Sequence, residues 1–144
     1  MNKVLFICVH NSGRSQMAEA FFNQMAKGKA IAISAGTKPA AHKDANVVEA
    51  MHEVGIDISN QKPKLLTPEI LEDADRVFTM GCSVEETCPV SFVPAEDWKL
   101  EDPEGQPMEK VRQIRDEIKD RVRALIKSLD YERILSSCFK PERV

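Results

Sequence analysis

The sequence predicts an α/β fold, a four-stranded parallel sheet with helices on both faces, for which the known doubly wound arrangement with its switch point between strands one and three gives the order 2-1-3-4. Three observations point to it. Residues 3–7 are a continuous apolar run without alternation, which suits a strand buried on both faces, and residues 30–35 and 76–80 read as further strands. Segments with apolar residues at helical spacing separate them, and strands that alternate with helices make a parallel sheet wrapped on both sides. The 144 residues, 42% of them hydrophobic, suffice for one core.

The first strand is Lys3-Val4-Leu5-Phe6-Ile7. From Arg14 the pattern turns helical through Met17, Ala18, Phe21, Phe22 and Met25, and Gly28 stops it. Residues 30–35 form the second strand, closed by Gly36. Residues 45–54 form a helix with Val47, Val48, Met51 and Val54 on one stripe and Gly55 behind it. Thr67-Pro68 reads as an N-cap with proline at the first helical position, so residues 69–74 are a short helix. Residues 76–80 are the third strand, and residues 90–93 are a candidate fourth. Val111, Ile114, Ile118, Val122, Leu125, Ile126 and Leu129 mark a long last helix, whose charged side (Arg112, Arg115, Asp116, Lys119, Asp120, Arg123) reads as a solvated face. Residues 60–66 and 94–107 are the least patterned stretches. Residues 1–130 form a single catalytic domain and residues 131–144 an extension without an assigned role.

Net charge is −3, with 30% of residues charged, which argues against a nucleic-acid surface. Any anion is then held by local dipoles and one or two cations. The longest apolar run, residues 4–9, is too short to cross a bilayer or to form a signal-peptide core, so no membrane partner is expected and the cytoplasm is the expected compartment. Structural disulfides are uncommon there, and four cysteines then read as catalytic, redox-active, metal-binding or buried.

Cys8-Val9-His10-Asn11-Ser12-Gly13-Arg14-Ser15 lies between the first strand and the first helix. Small and polar residues let backbone N–H groups turn inward, and a helix N-terminus attracts an anion. The same partial positive charge favours the thiolate of Cys8. Arg14 can hold two oxygens of an oxyanion in a fork, and Ser15 can donate to the sulfur. The candidate substrate-binding residues are thus Val9, His10, Asn11, Ser12, Gly13 and Arg14. The bland alternative is a buried cysteine with a solvated arginine.

Glu101-Asp102-Pro103 falls in the loop before the last helix. Asp102 is either the acid that protonates an expelled oxygen or part of an ordinary turn. Glu96, Asp97, Glu101 and Glu104 read as solvated charges. Cys82 follows the third strand and Cys88 comes six residues later. If that stretch is helical, the two lie about 9 Å apart along the axis, and a disulfide needs Cα atoms within about 7 Å, so the helix would unwind before they join. The pair reads as redox-active, with two structural thiols as the alternative. Zinc is disfavoured because close ligand pairs are lacking, and no metal or cofactor is expected. Cys138 reads as a spare thiol or a second resolving one.

The run from Cys8 to Ser15 resembles the Cys-x5-Arg-Ser loop of the low-molecular-weight tyrosine phosphatase fold. Its continuation Ser15-Gln16-Met17-Ala18-Glu19 is similar to the thioredoxin-coupled arsenate reductases on that fold. The likeness extends over Ser34-Ala35-Gly36-Thr37, Gly55-Ile56-Asp57-Ile58-Ser59 and residues 80–103. It implies arsenate as substrate, with phosphate or sulfate as analogues, Asp102 as the acid, a relay through Cys8, Cys82 and Cys88, and thioredoxin as reductant. The spacing of Cys82 and Cys88 differs by one residue from that expected of the family. The resemblance also implies that Asn11, Glu19 and Ser34 lie near a potassium site. Its acidic member is replaced by Lys62-Pro63-Lys64, so no potassium is expected and either lysine could fill the space.

Two rivals stand beside this reading. One is a tyrosine or small aryl phosphatase working through a phosphocysteine on Cys8. Against it, Glu104-Gly105 follows the Asp-Pro where that branch places tyrosines, and Tyr131 is the sole tyrosine. The other is a phosphate-binding domain that signals its redox state and has no need of Asp102.

Overall fold

The computed structural model of the chain describes residues 2–11, 13–41, 44–81 and 96–138. The elements are β1 (Asn2–Cys8), α1 (Arg14–Ala26), β2 (Ala30–Gly36), α2 (Ala45–Glu53), α3 (Pro68–Asp73), β3 (Arg76–Thr79), β4 (Glu96–Asp97) and α4 (Met108–Cys138). The strands form one parallel sheet in the order β2-β1-β3-β4, as the sequence predicts.

β1 lies inside the sheet, so both of its faces need cover. Val4, Phe6 and Cys8 join α1, α2 and α4 in the larger core cluster. Leu5 and Ile7 join Ala35 and Val77 in a smaller one, against which Leu66, Ile70 and Leu71 of the α3 region pack. This two-sided burial is why β1 reads as an unbroken apolar run. Phe6, Phe78 and Trp98 stack at centroid distances of 5.1 to 5.8 Å, tying β1, β3 and the end of β4 together.

Local chemistry sets the helix starts. Asp44 caps α2 by accepting from the Asn46 N–H, and Thr67 caps α3 by accepting from the Ile70 N–H with Pro68 behind it. α1 is different. Gly13 stands at its N-cap and no side chain caps it, which leaves its leading N–H groups facing the loop.

The structure departs from the sequence reading in two places. β4 is the pair Glu96–Asp97, inside the stretch read as patternless; the candidate strand at residues 90–93 lies outside the described residues. A two-residue polar strand has no periodicity to detect, and it is held by its register with Phe78 and Thr79. Arg115 does not belong to a solvated face. It is 8% exposed and donates to the Ala50 carbonyl, to Glu53 and to Asp116, locking α4 onto the end of α2. Arg112 binds the same Glu53 carboxylate through two nitrogens. The Arg112 hydrogen bond, with Arg115 assisting, holds the Glu53 carboxyl down at about 2 from its ordinary 4.5. α4, Met108–Cys138, is 31 residues long, roughly 46 Å. Among the described residues no helix is long and apolar enough to cross a membrane.

Candidate active site

Cys8 ends β1 at the C-terminal edge of the sheet, the edge at which open parallel α/β sheets build their sites. Its thiol is free and 3% exposed. The chain then turns sharply. Asn11 adopts the left-handed conformation at φ 51°, which asparagine tolerates better than most residues. The turn brings the Asn11 N–H to 3.2 Å from the Cys8 sulfur.

Asn11 is fully buried and organises the loop. Its Nδ2 donates to Ser15 Oγ at 2.7 Å, and its Oδ1 accepts from the Lys64 N–H at 2.8 Å. Ser15 Oγ also lies 2.9 Å from the Cys8 sulfur, and either atom can donate to the other. The sulfur is thus in reach of two groups able to donate to it, the Asn11 N–H and the Ser15 hydroxyl. Gln16, also fully buried, donates to the Asn11 carbonyl. The outward carbonyls of Val9 and His10 accept from the Lys38 and Ala40 N–H groups, so the loop is braced from outside as well. Ser12 lies outside the described residues.

Arg14 begins α1 and is 6% exposed. Its Nη1 donates to two carbonyls, Met80 at 2.6 Å and Leu100 at 3.0 Å. Nη2 lies 3.7 Å from Asp102 Oδ2. Asp102 accepts from the Glu104 N–H, which fixes the turn after it, and its side chain is half exposed. Pro103 packs directly over Gly13: a Cβ at residue 13 would stand 3.2 Å from Pro103 Cγ. The missing side chain at Gly13 thus lets the acid loop close onto the thiol loop.

Cys8, Arg14, Ser15 and Asp102 are brought together, with Asn11 and Gly13 as the frame. Cys82 and Cys88 lie outside the described residues. Their approach is defined as far as Gly81, next to Arg14, since β1 and β3 pair through Ile7 and Thr79. Among the described residues no group of His, Cys, Asp and Glu could hold a metal ion. Where the resemblance implied a cation, the Glu19 carboxylate accepts from Ser34 Oγ and lies 3.8 Å from Lys64 Nζ. Of the two lysines considered, Lys64 supplies that charge.

Asp97 and Glu101 are exposed, as the sequence reading has them, and each also has a partner it did not foresee. Glu101 pairs with Lys110. Asp97 accepts from both Thr79 Oγ1 and the Gly81 N–H through a single oxygen. No motif marks Asp97, because its partners are a backbone group and a hydroxyl that pair with it only once β4 docks.

A thiol with two donors, a fixed guanidinium and a carboxyl on a facing loop can attack a tetrahedral oxyanion and protonate the oxygen that leaves. Comparison with known proteins agrees. The profile of the low molecular weight phosphotyrosine protein phosphatase family matches residues 3–135. A glutaredoxin arsenate reductase of Synechocystis sp. is 40% identical over 130 residues, covering 88% of this chain and 97% of its own. The solved structure of an arsenate reductase in the phosphate binding state superposes with a TM-score of 0.77 at 40% identity, over 89% of this chain and 98% of that one. A thioredoxin-dependent arsenate reductase of Corynebacterium glutamicum gives a TM-score of 0.77 at 39% identity, over 92% of this chain and 63% of that one. The chain belongs to the low molecular weight phosphotyrosine protein phosphatase family, and within it to the arsenate reductases.

Proposed function

We propose that this chain reduces arsenate to arsenite through a covalent adduct on Cys8. The observation that carries the proposal is the Cys8 sulfur held between the Asn11 N–H and the Ser15 hydroxyl, at the uncapped start of α1 that Arg14 opens. Loop N–H groups and Arg14 bind the oxyanion. The thiolate attacks arsenic, and Asp102 gives a proton to the departing oxygen, which leaves as water.

Cys82 then attacks the Cys8 sulfur. The sulfur–arsenic bond breaks with its electron pair going to arsenic, arsenic(V) becomes arsenic(III), and arsenite departs from a Cys8–Cys82 disulfide. Attack by Cys88 on Cys82 frees Cys8 and leaves Cys82–Cys88 for an external dithiol to reduce. Support for the two later cysteines is their place in the sequence, Cys82 directly after β3 and Gly81 and Cys88 six residues on. The reductant is a dithiol protein of the thioredoxin kind, and the need for a steady supply of it places the reaction in the cytoplasm.

The test is steady-state arsenite release with thioredoxin and its reductase, and separately with glutaredoxin and glutathione. Cys88→Ser should stop after one stoichiometric release of arsenite and Cys82→Ser should release none; turnover at the parent rate in either sinks the relay. A phosphatase reading needs only Cys8, Arg14 and Asp102, all present with Nη2 of Arg14 at 3.7 Å from the acid. Aryl phosphate hydrolysis faster than arsenate reduction at matched concentration would favour it.

A further inference from the structure

Arg14 is held by backbone, and something must hold that backbone. Its Nη1 donates to the Met80 and Leu100 carbonyls. The Met80 carbonyl and the Gly81 N–H belong to the same planar trans peptide, so they point in opposite directions and fixing one fixes the other. The Gly81 N–H is bound by Asp97 Oδ1 at 2.8 Å. The same oxygen accepts from Thr79 Oγ1 at 2.8 Å, and Thr79 is 4% exposed, which orients the carboxylate. Next along the chain, the Trp98 N–H donates to the Thr79 carbonyl, so β4 clasps the end of β3 from both sides of that residue. Gly81 has φ +93°, and a Cβ there would lie 2.5 Å from the Leu100 carbonyl oxygen and 2.9 Å from Arg14 Nη1. The peptide is therefore built in close against the guanidinium, with its orientation set from the far side by Asp97.

We propose that Asp97 is a positioning residue for oxyanion binding. Its carboxylate orients the Met80–Gly81 peptide, whose carbonyl occupies Nη1 of Arg14 and so leaves Nε and Nη2 for the anion. An anionic acceptor on the N–H also polarises the peptide and strengthens the carbonyl as an acceptor for Arg14. The inference deepens the reading of this site as an oxyanion-binding thiol loop, and its test is independent of arsenate turnover.

The probe is inorganic phosphate, read as protection of Cys8 from alkylation by iodoacetamide, with the Cys8 peptide followed by mass spectrometry. Losing a hydrogen bond to a charged group is expected to raise the half-protecting phosphate concentration about tenfold in Asp97→Ala. Asp97→Asn keeps an acceptor oxygen for the Gly81 N–H and should stay within about threefold of the parent. In an Arg14→Lys background the Asp97→Ala change should have no further effect, because the group it acts through is gone. An unchanged half-protecting concentration in Asp97→Ala, or an equal loss in the Arg14→Lys background, overturns the proposal. If Asp97→Ala fails to fold by circular dichroism, Thr79→Val carries the test. It removes the hydroxyl that orients the same oxygen and should weaken phosphate about threefold; no weakening there overturns the proposal. A parent that binds phosphate but releases no arsenite would refute the reductase reading and leave this test standing.

Discussion

Replacing Lys64 with methionine removes a charge while keeping most of the side-chain stem. Lys64 Nζ lies 3.8 Å from the Glu19 carboxylate, with the two side chains 43% and 13% exposed. At an effective dielectric constant of about 20 the bare attraction at that distance is about 4 kcal/mol. Solvent screening on the lysine side and the cost of fixing its rotamers reduce the net contribution to about 1–2 kcal/mol. In Lys64→Met the poorly exposed Glu19 carboxylate keeps the Ser34 hydroxyl but loses its cation. Thermal unfolding followed by circular dichroism should show a drop of about 3–7 °C for a chain of this size. The decisive comparison is a double-mutant cycle with Glu19→Gln, in which the coupling between the two sites should be about 1–2 kcal/mol. The parent should respond equally to potassium and sodium chloride at fixed ionic strength. A coupling indistinguishable from zero would refute the assignment of Lys64 as the cation of this cluster.

Glu53 gives the fold an acid-sensitive clamp. Its folded value, about 2, lies below its ordinary 4.5, so the stabilisation is complete above pH 4.5 and is lost as pH falls from there towards 2. Acid unfolding of Glu53→Gln should therefore show a flatter pH dependence over that window than the parent, and identical slopes would refute it. Ser15→Ala removes a donor from the Cys8 sulfur and leaves Asn11 Nδ2 without its acceptor; kcat/KM for arsenate should fall about 10- to 100-fold, read as arsenite release. Asp102→Asn keeps the shape of its side chain but cannot give up a proton. Single-turnover adduct formation should slow about 100-fold or more while phosphate protection of Cys8 is retained.

Much of this architecture was legible because burial writes itself into composition. β1 is apolar throughout since clusters on both faces need it, and the stripe of α4 from Val111 to Leu129 follows the one face that packs. The Thr67-Pro68 cap was legible because capping is local chemistry. The thiol loop was legible too, since a cysteine, an arginine and small residues between a strand and a helix suit few other purposes. What escaped depends on partners distant in sequence. Arg115 reads as a surface charge until α2 supplies Glu53 and the Ala50 carbonyl, more than sixty residues earlier. β4 has no side-chain pattern of its own, and Asp97 acquires meaning only when β4 lies beside Thr79. Lys64 could be named as a replacement cation, but only the fold placed it at Glu19 rather than Lys62.

With Nη1 committed to two carbonyls, the guanidinium of Arg14 has almost no torsional freedom left to surrender when a small anion arrives. Its ordering was settled at folding, so the cradle is stiff and equally receptive to any tetrahedral dianion of similar radius. Phosphate and arsenate differ too little in shape and charge for such a cradle to sort them. Selectivity must then arise after capture, at the moment an electron pair is offered to the central atom, because arsenic can accept it and phosphorus cannot. In a phosphate-rich cell this enzyme would spend most of its time occupied by the wrong guest and would depend on the reversibility of that occupancy.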